Sequence, residues 1–277
     1  MVATRRGGAA ATTSKLSRQA VSFKASGKAT LSSQHSKPAA AAAANPGKAA
    51  TAAPRAPTVV ATAGGRSWFE ELYSGAMSEE YKAYMRTEWG AEKRGDQALF
   101  EKLSLEGAQA GLSWATILAK REAYRRAFHG FDVAKCAAMS DSDIDALLAA
   151  PGSGPDSVVR HRGKIASVRN NARCVLRLAE EAAHAGGSAA APPPHGHLDA
   201  LLWSFVGGAP QLNAWPDAKS IPAETETGTR MSVELKRRGF SFVGPKICYS
   251  LMQSCGLVVD HPKGTPEWEA ARRRLAR

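Results

Sequence analysis

The chain has 277 residues and a formal charge of +12, from 37 Lys and Arg against 25 Asp and Glu. No apolar run reaches the roughly 20 residues that span a bilayer, so no membrane partner is expected. Cys136, Cys174, Cys248 and Cys255 show no metal-type spacing and read as reduced, buried thiols of an intracellular protein.

Residues 1–65 carry nine Lys and Arg, no Asp or Glu, and almost no large apolar side chains. Such a segment cannot bury enough surface to offset its ordering entropy and is expected to be disordered. Three roles fit it: an organelle targeting peptide, a nuclear or nucleic-acid-binding arm, or a solvated extension. A helical domain is expected over 66–265, and a basic tail over 266–277.

Helical patterns dominate the body, in chain order. Ser78 to Tyr84 opens with a capping serine and acids in the first turn. Asp96 to Gly111 places Leu99, Phe100, Leu103, Leu105 and Ala110 at core spacing. Trp114 to Phe128 reads as one helix. Short helices follow from Asp132 and Ser140, the second ended by Pro151-Gly152-Ser153-Gly154-Pro155. Arg160 to Ala182 is a long basic helix, and Ala185 to His197 a loop. Leu198 to Val206, Thr229 to Arg238 and Val243 to Cys255 complete the set. No alternating strand run and no internal repeat is found, so the body is expected to be all-α.

Leu105 to Trp114 puts one carboxylate and one indole into an apolar, small-residue stretch. A charge there costs several kcal/mol unless it is paired. Glu106 and Trp114 are eight residues apart, close to the same helical face because two turns take about seven. One reading is a pocket for a planar, electron-poor ring. The other is a core glutamate satisfied by backbone N–H groups, with Trp114 as core packing.

Leu235 to Tyr249 reads as two helices joined by a tight turn. Gly239 suits a left-handed cap, and Gly244 with Pro245 suits a helix start. Free N–H groups at that start form an anion site, bracketed by Lys236, Arg237, Arg238 and Lys246. This helix-hairpin-helix geometry grips a DNA phosphate without reading sequence; the alternative is a plain αα-hairpin with a solvated basic face. Arg160-His161-Arg162-Gly163-Lys164, with Arg169 and Arg173, offers a second basic surface.

These stretches, with Tyr81-Lys82-Ala83-Tyr84, Glu88-Trp89-Gly90, Trp203-Ser204-Phe205-Val206 and Asp260-His261, resemble the DNA-3-methyladenine glycosylase I family, a branch of the helix-hairpin-helix glycosylases. The resemblance runs from about Trp68 to His261. It implies two helical lobes around a base-binding pocket and excision of 3-methyladenine from double-stranded DNA as the free base. It makes Glu106 the catalytic, base-reading carboxylate, the only charged group expected against the base. Trp114 would stack on the base and Tyr84 would shape the pocket, with Tyr81 and Trp89 lining it nearby. Ordinary core packing is the competing account of Tyr81, Tyr84 and Trp89. Arg162, Lys164, Arg238, Gly239, Gly244 and Lys246 would contact DNA.

The family clamps its ends with a zinc ion held by two cysteines and two histidines. Those positions fall here at Ser67, Met85, His261 and Thr265, so only His261 keeps a ligand. A structural site needs about four. No zinc and no other cofactor is expected, and closure is assigned to packing by Trp68 and Met85. A monomeric, monofunctional enzyme is expected, since no motif points to a lysine nucleophile. It is expected in the nucleus, or alternatively in a chloroplast or mitochondrion through an N-terminal targeting peptide. The competing functions are a non-catalytic DNA-binding paralogue and a structural or interaction protein on the same scaffold.

Overall fold

The computed structural model describes residues 78–186 and 192–276. The N-terminal extension, Ser67 and Trp68 lie outside them.

The described chain forms eleven α-helices: α1 Glu79–Thr87, α2 Asp96–Gln109, α3 Trp114–Leu118, α4 Arg121–Ala127, α5 Val133–Ala138, α6 Asp141–Ala149, α7 Arg162–Gly186, α8 His197–Ser204, α9 Glu226–Arg237, α10 Pro245–Ser254 and α11 Pro266–Leu275. Their starts follow local chemistry. Ser78, Ser113, Asp132, Ser140, Thr225 and Thr265 each accept a backbone N–H of the first turn, and Ser140 with Asp143 makes a complete capping box.

Helix α2 is the centre, packed against α3, α7, α8 and α10. Leu99, Phe100, Leu103 and Leu105 are almost wholly buried, and so are Lys102, Ser104 and Glu106. A helix buried on all sides keeps no polar stripe for water. Its polar residues must find partners inside the protein.

The start of α2 is fixed by an exchange of carboxylates with α8. Asp96 accepts from the His197 and Asp199 N–H groups at 3.0 and 2.9 Å, and Asp199 accepts from the Gly95 N–H at 2.8 Å. The negative groups sit at the positive helix ends. At the other end of α2, the Lys164 ammonium donates to the carbonyls of Ala108 and Ala110 at 2.8 and 2.6 Å.

Three expectations are corrected. Trp114 to Phe128 is two helices, broken at Ala119 and Lys120, where the Lys120 ammonium donates to the Ser153 and Ser157 carbonyls, both at 3.0 Å. A short parallel strand pair exists, Gln211–Leu212 with Val258–Val259, too short for alternation to show in sequence. Residues 266–275 are helix rather than tail: the Trp268 ring is buried and its indole donates to the Asn213 carbonyl at 2.7 Å. The four cysteines are free and buried, as read.

Candidate active site and DNA-facing hairpin

Four elements meet at Glu106. Helix α1 brings Tyr81 and Tyr84 from consecutive turns of one face, their rings 6.2 Å apart and edge-on. Helix α2 brings Glu106 and, one turn earlier, Lys102. Helix α3 brings Trp114, whose ring lies 5.3 Å from that of Tyr84. The end of α10 brings Ser254, whose hydroxyl donates to Glu106 Oε1 at 2.9 Å.

Glu106 and Trp114 do not share a helix. Helix α2 stops at Gln109, Gly111 turns the chain at a φ of 75°, and Ser113 caps a new helix. The tertiary fold, not helical spacing, brings the indole back over the pocket. Trp114 Nε1 is buried with no hydrogen-bond partner among the described residues. An unmet buried donor costs about 1–3 kcal/mol, so its persistence marks a place where an acceptor is missing.

The expectation that Glu106 would be the only charge here is overturned by Lys102. Its ammonium donates to the Tyr84 hydroxyl at 2.8 Å and stands 3.8 Å from Glu106 Oε1. It lies 4.2 Å from the Trp114 ring centre and 4.7 Å from that of Tyr84. Burial pushes the Glu106 carboxyl above its ordinary range, opposed by Lys102 and the Ser254 hydrogen bond. Burial pushes the Lys102 ammonium below its ordinary range, opposed first by Glu106. Tyr81 is raised to about 12 by burial and by the Glu106 charge, so it stays a phenol.

Trp89, placed by sequence in the pocket lining, makes an edge contact with His261 at 5.0 Å. This joins the end of α1 to the C-terminal segment. Of the family's four metal positions, the three among the described residues do not fit a zinc ion. Met85 is buried in the core, and the Thr265 hydroxyl is committed to the Pro262 carbonyl and the Trp268 N–H at 2.8 and 3.3 Å. A thioether, a committed hydroxyl and one imidazole are not a zinc donor set.

The hairpin is built as read. Helix α9 ends before Gly239 at a φ of 87°, and Gly244 precedes α10 with Pro245 at its first turn. No side chain caps that helix start. Its first-turn N–H groups are left without a side-chain cap, the arrangement that suits an anion, and Lys246 is exposed beside them. The loop is clamped to α7: Asn170 donates to the Gly239 carbonyl at 2.8 Å, and Asn171 exchanges hydrogen bonds with the Ser241 backbone at 3.0 and 2.8 Å. Phe242, at a φ of 56°, presses on Gly107, where a Cβ would come within 3.1 Å of its own Cβ. Glycine beside Glu106 thus lets the hairpin seat on the pocket helix.

Three of the basic residues expected to contact DNA are engaged within the protein. Lys164 is buried, and its ammonium is engaged by the Ala108 and Ala110 carbonyls at the end of α2. Arg238 is paired with Glu234 at 2.6 Å and with Glu181, which leaves its charge largely neutralised. Arg162 is exposed but paired with Asp145. Asp260, quoted in the sequence only as part of the resemblance, is fully buried and accepts from Asn213, Trp215, Tyr249 and Gln253 at 2.5 to 2.8 Å.

Residues 74–267 match the methyladenine glycosylase family. The chain belongs to the methyladenine glycosylase family. The DNA-3-methyladenine glycosylase 1 of Escherichia coli is 42% identical over 184 residues, 66% of this chain and 89% of that one. The Haemophilus influenzae DNA-3-methyladenine glycosylase is 42% identical over 186 residues, 67% and 91% of the two chains. Among solved structures, a 3-methyladenine DNA glycosylase I from Staphylococcus aureus superposes with a TM-score of 0.61 at 34% identity, covering 72% of this chain and 96% of that one. A tyrosine-to-phenylalanine variant of a 3-methyladenine DNA glycosylase I, in complex with 3-methyladenine, gives 0.61 at 33% identity over 72% and 97%. As a family member, this glycosylase is an enzyme of alkylated-base repair acting on N-glycosyl bonds. Its fold is the helical glycosylase fold.

Proposed function

We propose that this protein hydrolyses the N-glycosidic bond of 3-methyladenine in double-stranded DNA as a monomer, leaving an abasic site and no strand break. The observation that carries this reading is the buried cluster of the Glu106 carboxylate, the Tyr84 and Trp114 rings and the unmet Trp114 N–H. Methylation at N3 gives adenine a positive charge and makes it a better leaving group. A carboxylate and aromatic faces favour such a base over a neutral one. The base must leave the stack to reach them.

Helix α10 couples the two halves of the site. Its N-terminus would hold a phosphate, and its C-terminus supplies the Ser254 hydroxyl to Glu106, about 15 Å away along ten residues. Gripping the backbone and orienting the carboxylate are thereby tied to one rigid element. The glycosidic electron pair leaves with the base, and water adds to C1′ and loses its proton to solvent. The enzyme supplies a pocket that strips the base of competing water, with little need for acid catalysis.

Incubating the protein with methylated DNA and measuring free base is the test. Released 3-methyladenine with intact strands supports the reading. A second reading, a DNA-binding protein without excision, is favoured by the Lys102 ammonium standing where a cationic base would be held. It predicts salt-dependent DNA binding and no release.

The fold's closure without zinc belongs to the same proposal. It is supported by the engaged Thr265 hydroxyl, the buried Met85 and the Asp260 network. We place the enzyme in the nucleus, with a chloroplast or mitochondrial address as the alternative; a fluorescent fusion with and without residues 1–65 decides.

A further inference from the structure

We propose that Lys102 is the specificity-determining residue of the pocket: its ammonium holds the position of the positive charge, and a cationic base enters only when Lys102 has given its proton to solvent. The inference rests on the glycosylase reading. The geometry is that of a cation site already filled. The ammonium faces the Trp114 and Tyr84 rings and lies beside a carboxylate, the same groups that would hold a methylated base. Its side chain is only 6% exposed and that of Glu106 only 4%, so neither charge is screened by bulk water. Two positive charges and one negative charge in so small a space are disfavoured; one of each is not.

Losing the proton does not cost Lys102 its anchor. A neutral amine still donates to the Tyr84 hydroxyl, the bond that fixes it now. Burial already favours the neutral form. The groups facing Lys102 are the Tyr84 hydroxyl from α1, Glu88 just after it, Lys93, Glu106 from α2 and Cys255 after α10. Arg121 and Arg125 border the same cavity as Lys102, each with its own counter-charge, Glu88 at 2.7 Å and Glu101 at 2.8 Å. A cavity of about 40 Å³, lined by Lys102 and Trp114, gives water a place next to the amine and the proton a way out.

The proton balance is simple. Lys102–NH3+ becomes Lys102–NH2 and one proton goes to solvent, while the base brings one positive charge in. Excision of the cationic base should therefore rise with pH, by up to about tenfold per unit on the acidic limb. The sign follows from the neutral lysine being the competent form.

Single-turnover release from methylated DNA is measured between about pH 6 and pH 9.5 for the parent, Lys102→Met and Lys102→Arg. The acidic limb is expected in the parent and absent in Lys102→Met, whose rate at the acid end exceeds the parent's several-fold. Lys102→Arg, which cannot deprotonate, stays at or below the parent's acid-end rate throughout. An unchanged limb in Lys102→Met would overturn the assignment, as would a rate lowered equally at every pH. If Lys102→Met does not fold, carbon-13 labelling of lysine in the parent supplies the readout. The Cε resonance missing from Lys102→Arg should titrate below the ordinary lysine range and move toward the neutral form on binding methylated DNA. A resonance that stays at the charged position would overturn it. Borohydride trapping checks the other chemistry of a buried amine. A covalent protein–DNA adduct lost in Lys102→Met would replace the gate with a Schiff base. No release by the parent at any pH would defeat the glycosylase reading itself, and the gate with it.

Discussion

Glu106 is held in an apolar interior by two neighbours, the Ser254 hydroxyl and the Lys102 ammonium. Glu106→Gln keeps the shape and the acceptor for Ser254 but removes the charge. Excision should fall by about 100-fold or more, measured on variant protein shown by circular dichroism to be folded, since breaking the buried pair with Lys102 also costs stability. Equal rates would remove Glu106 from the site. Lys164 is the opposite case. Lys164→Met should cost about 1–3 kcal/mol of stability by stranding the Ala108 and Ala110 carbonyls, with the salt dependence of DNA binding unchanged. A lower salt slope at unchanged stability would restore it to the DNA surface. Glu106 and Trp114 were legible because a lone charge and a lone indole stand out in small apolar surroundings. Lys102 was not. A lysine four residues before a glutamate reads as a solvated helical pair, and only the packing of α2 on every side turns it inward. Lys164 misled for the same reason: basic residues in a row say nothing of which side chain folds under.

The hairpin from α9 to α10 was the most readable element, because Gly239, Gly244 and Pro245 each answer a backbone need rather than a packing preference. Lys246 stands at its exposed helix start. Lys246→Ala should weaken binding to methylated and unmethylated DNA alike and reduce the salt slope by about one unit. An unaltered slope would place Lys246 outside the interface. Glu234 ties the end of α9 together through Arg237 and Arg238 at 2.6 to 2.7 Å. These hydrogen bonds, first that of Arg237, lower its carboxyl from 4.5 to about 2. A folded-state pKa below the unfolded one gives stability above the unfolded value, lost as pH falls through the folded one. Glu234→Gln should therefore destabilise by about 0.5–1 kcal/mol near neutral pH, a modest figure for a partly exposed group. The gap should close between about pH 4.5 and pH 2. A gap that persists at the acid end would assign the loss to packing instead. The break between α3 and α4 was not legible, since Ala119 and Lys120 carry no helix-stopping signal. It coincides with contacts of the Lys120 ammonium to carbonyls more than thirty residues away.

At the scale of the molecule, the two ends of the described fold meet at the C-terminal segment. Trp89 touches His261, Asp260 gathers four donors, and Trp268 seats α11 on Asn213. Sequence assigned closure to Trp68 and Met85. Met85 is in the core, Trp68 lies outside the described residues, and α11 adds a contact that its run of arginines hid. Trp268→Ala should cost about 3 kcal/mol, read from urea unfolding. Purified protein should hold well under one zinc per chain, and chelator should leave its unfolding curve in place. Stoichiometric zinc surviving dialysis would contradict that account. The all-α class and the pocket-plus-hairpin plan were readable from helix periodicity and turn residues. The closure was not, because it joins segments far apart in the chain. The central claim is that this pocket releases an alkylated adenine. Its most direct test is chromatography of bases freed from methylated duplex DNA by the parent and by Glu106→Gln. The account predicts 3-methyladenine from the parent, far less from the variant, and unbroken strands. Folded parent protein that binds the duplex and frees no base above the blank would contradict it.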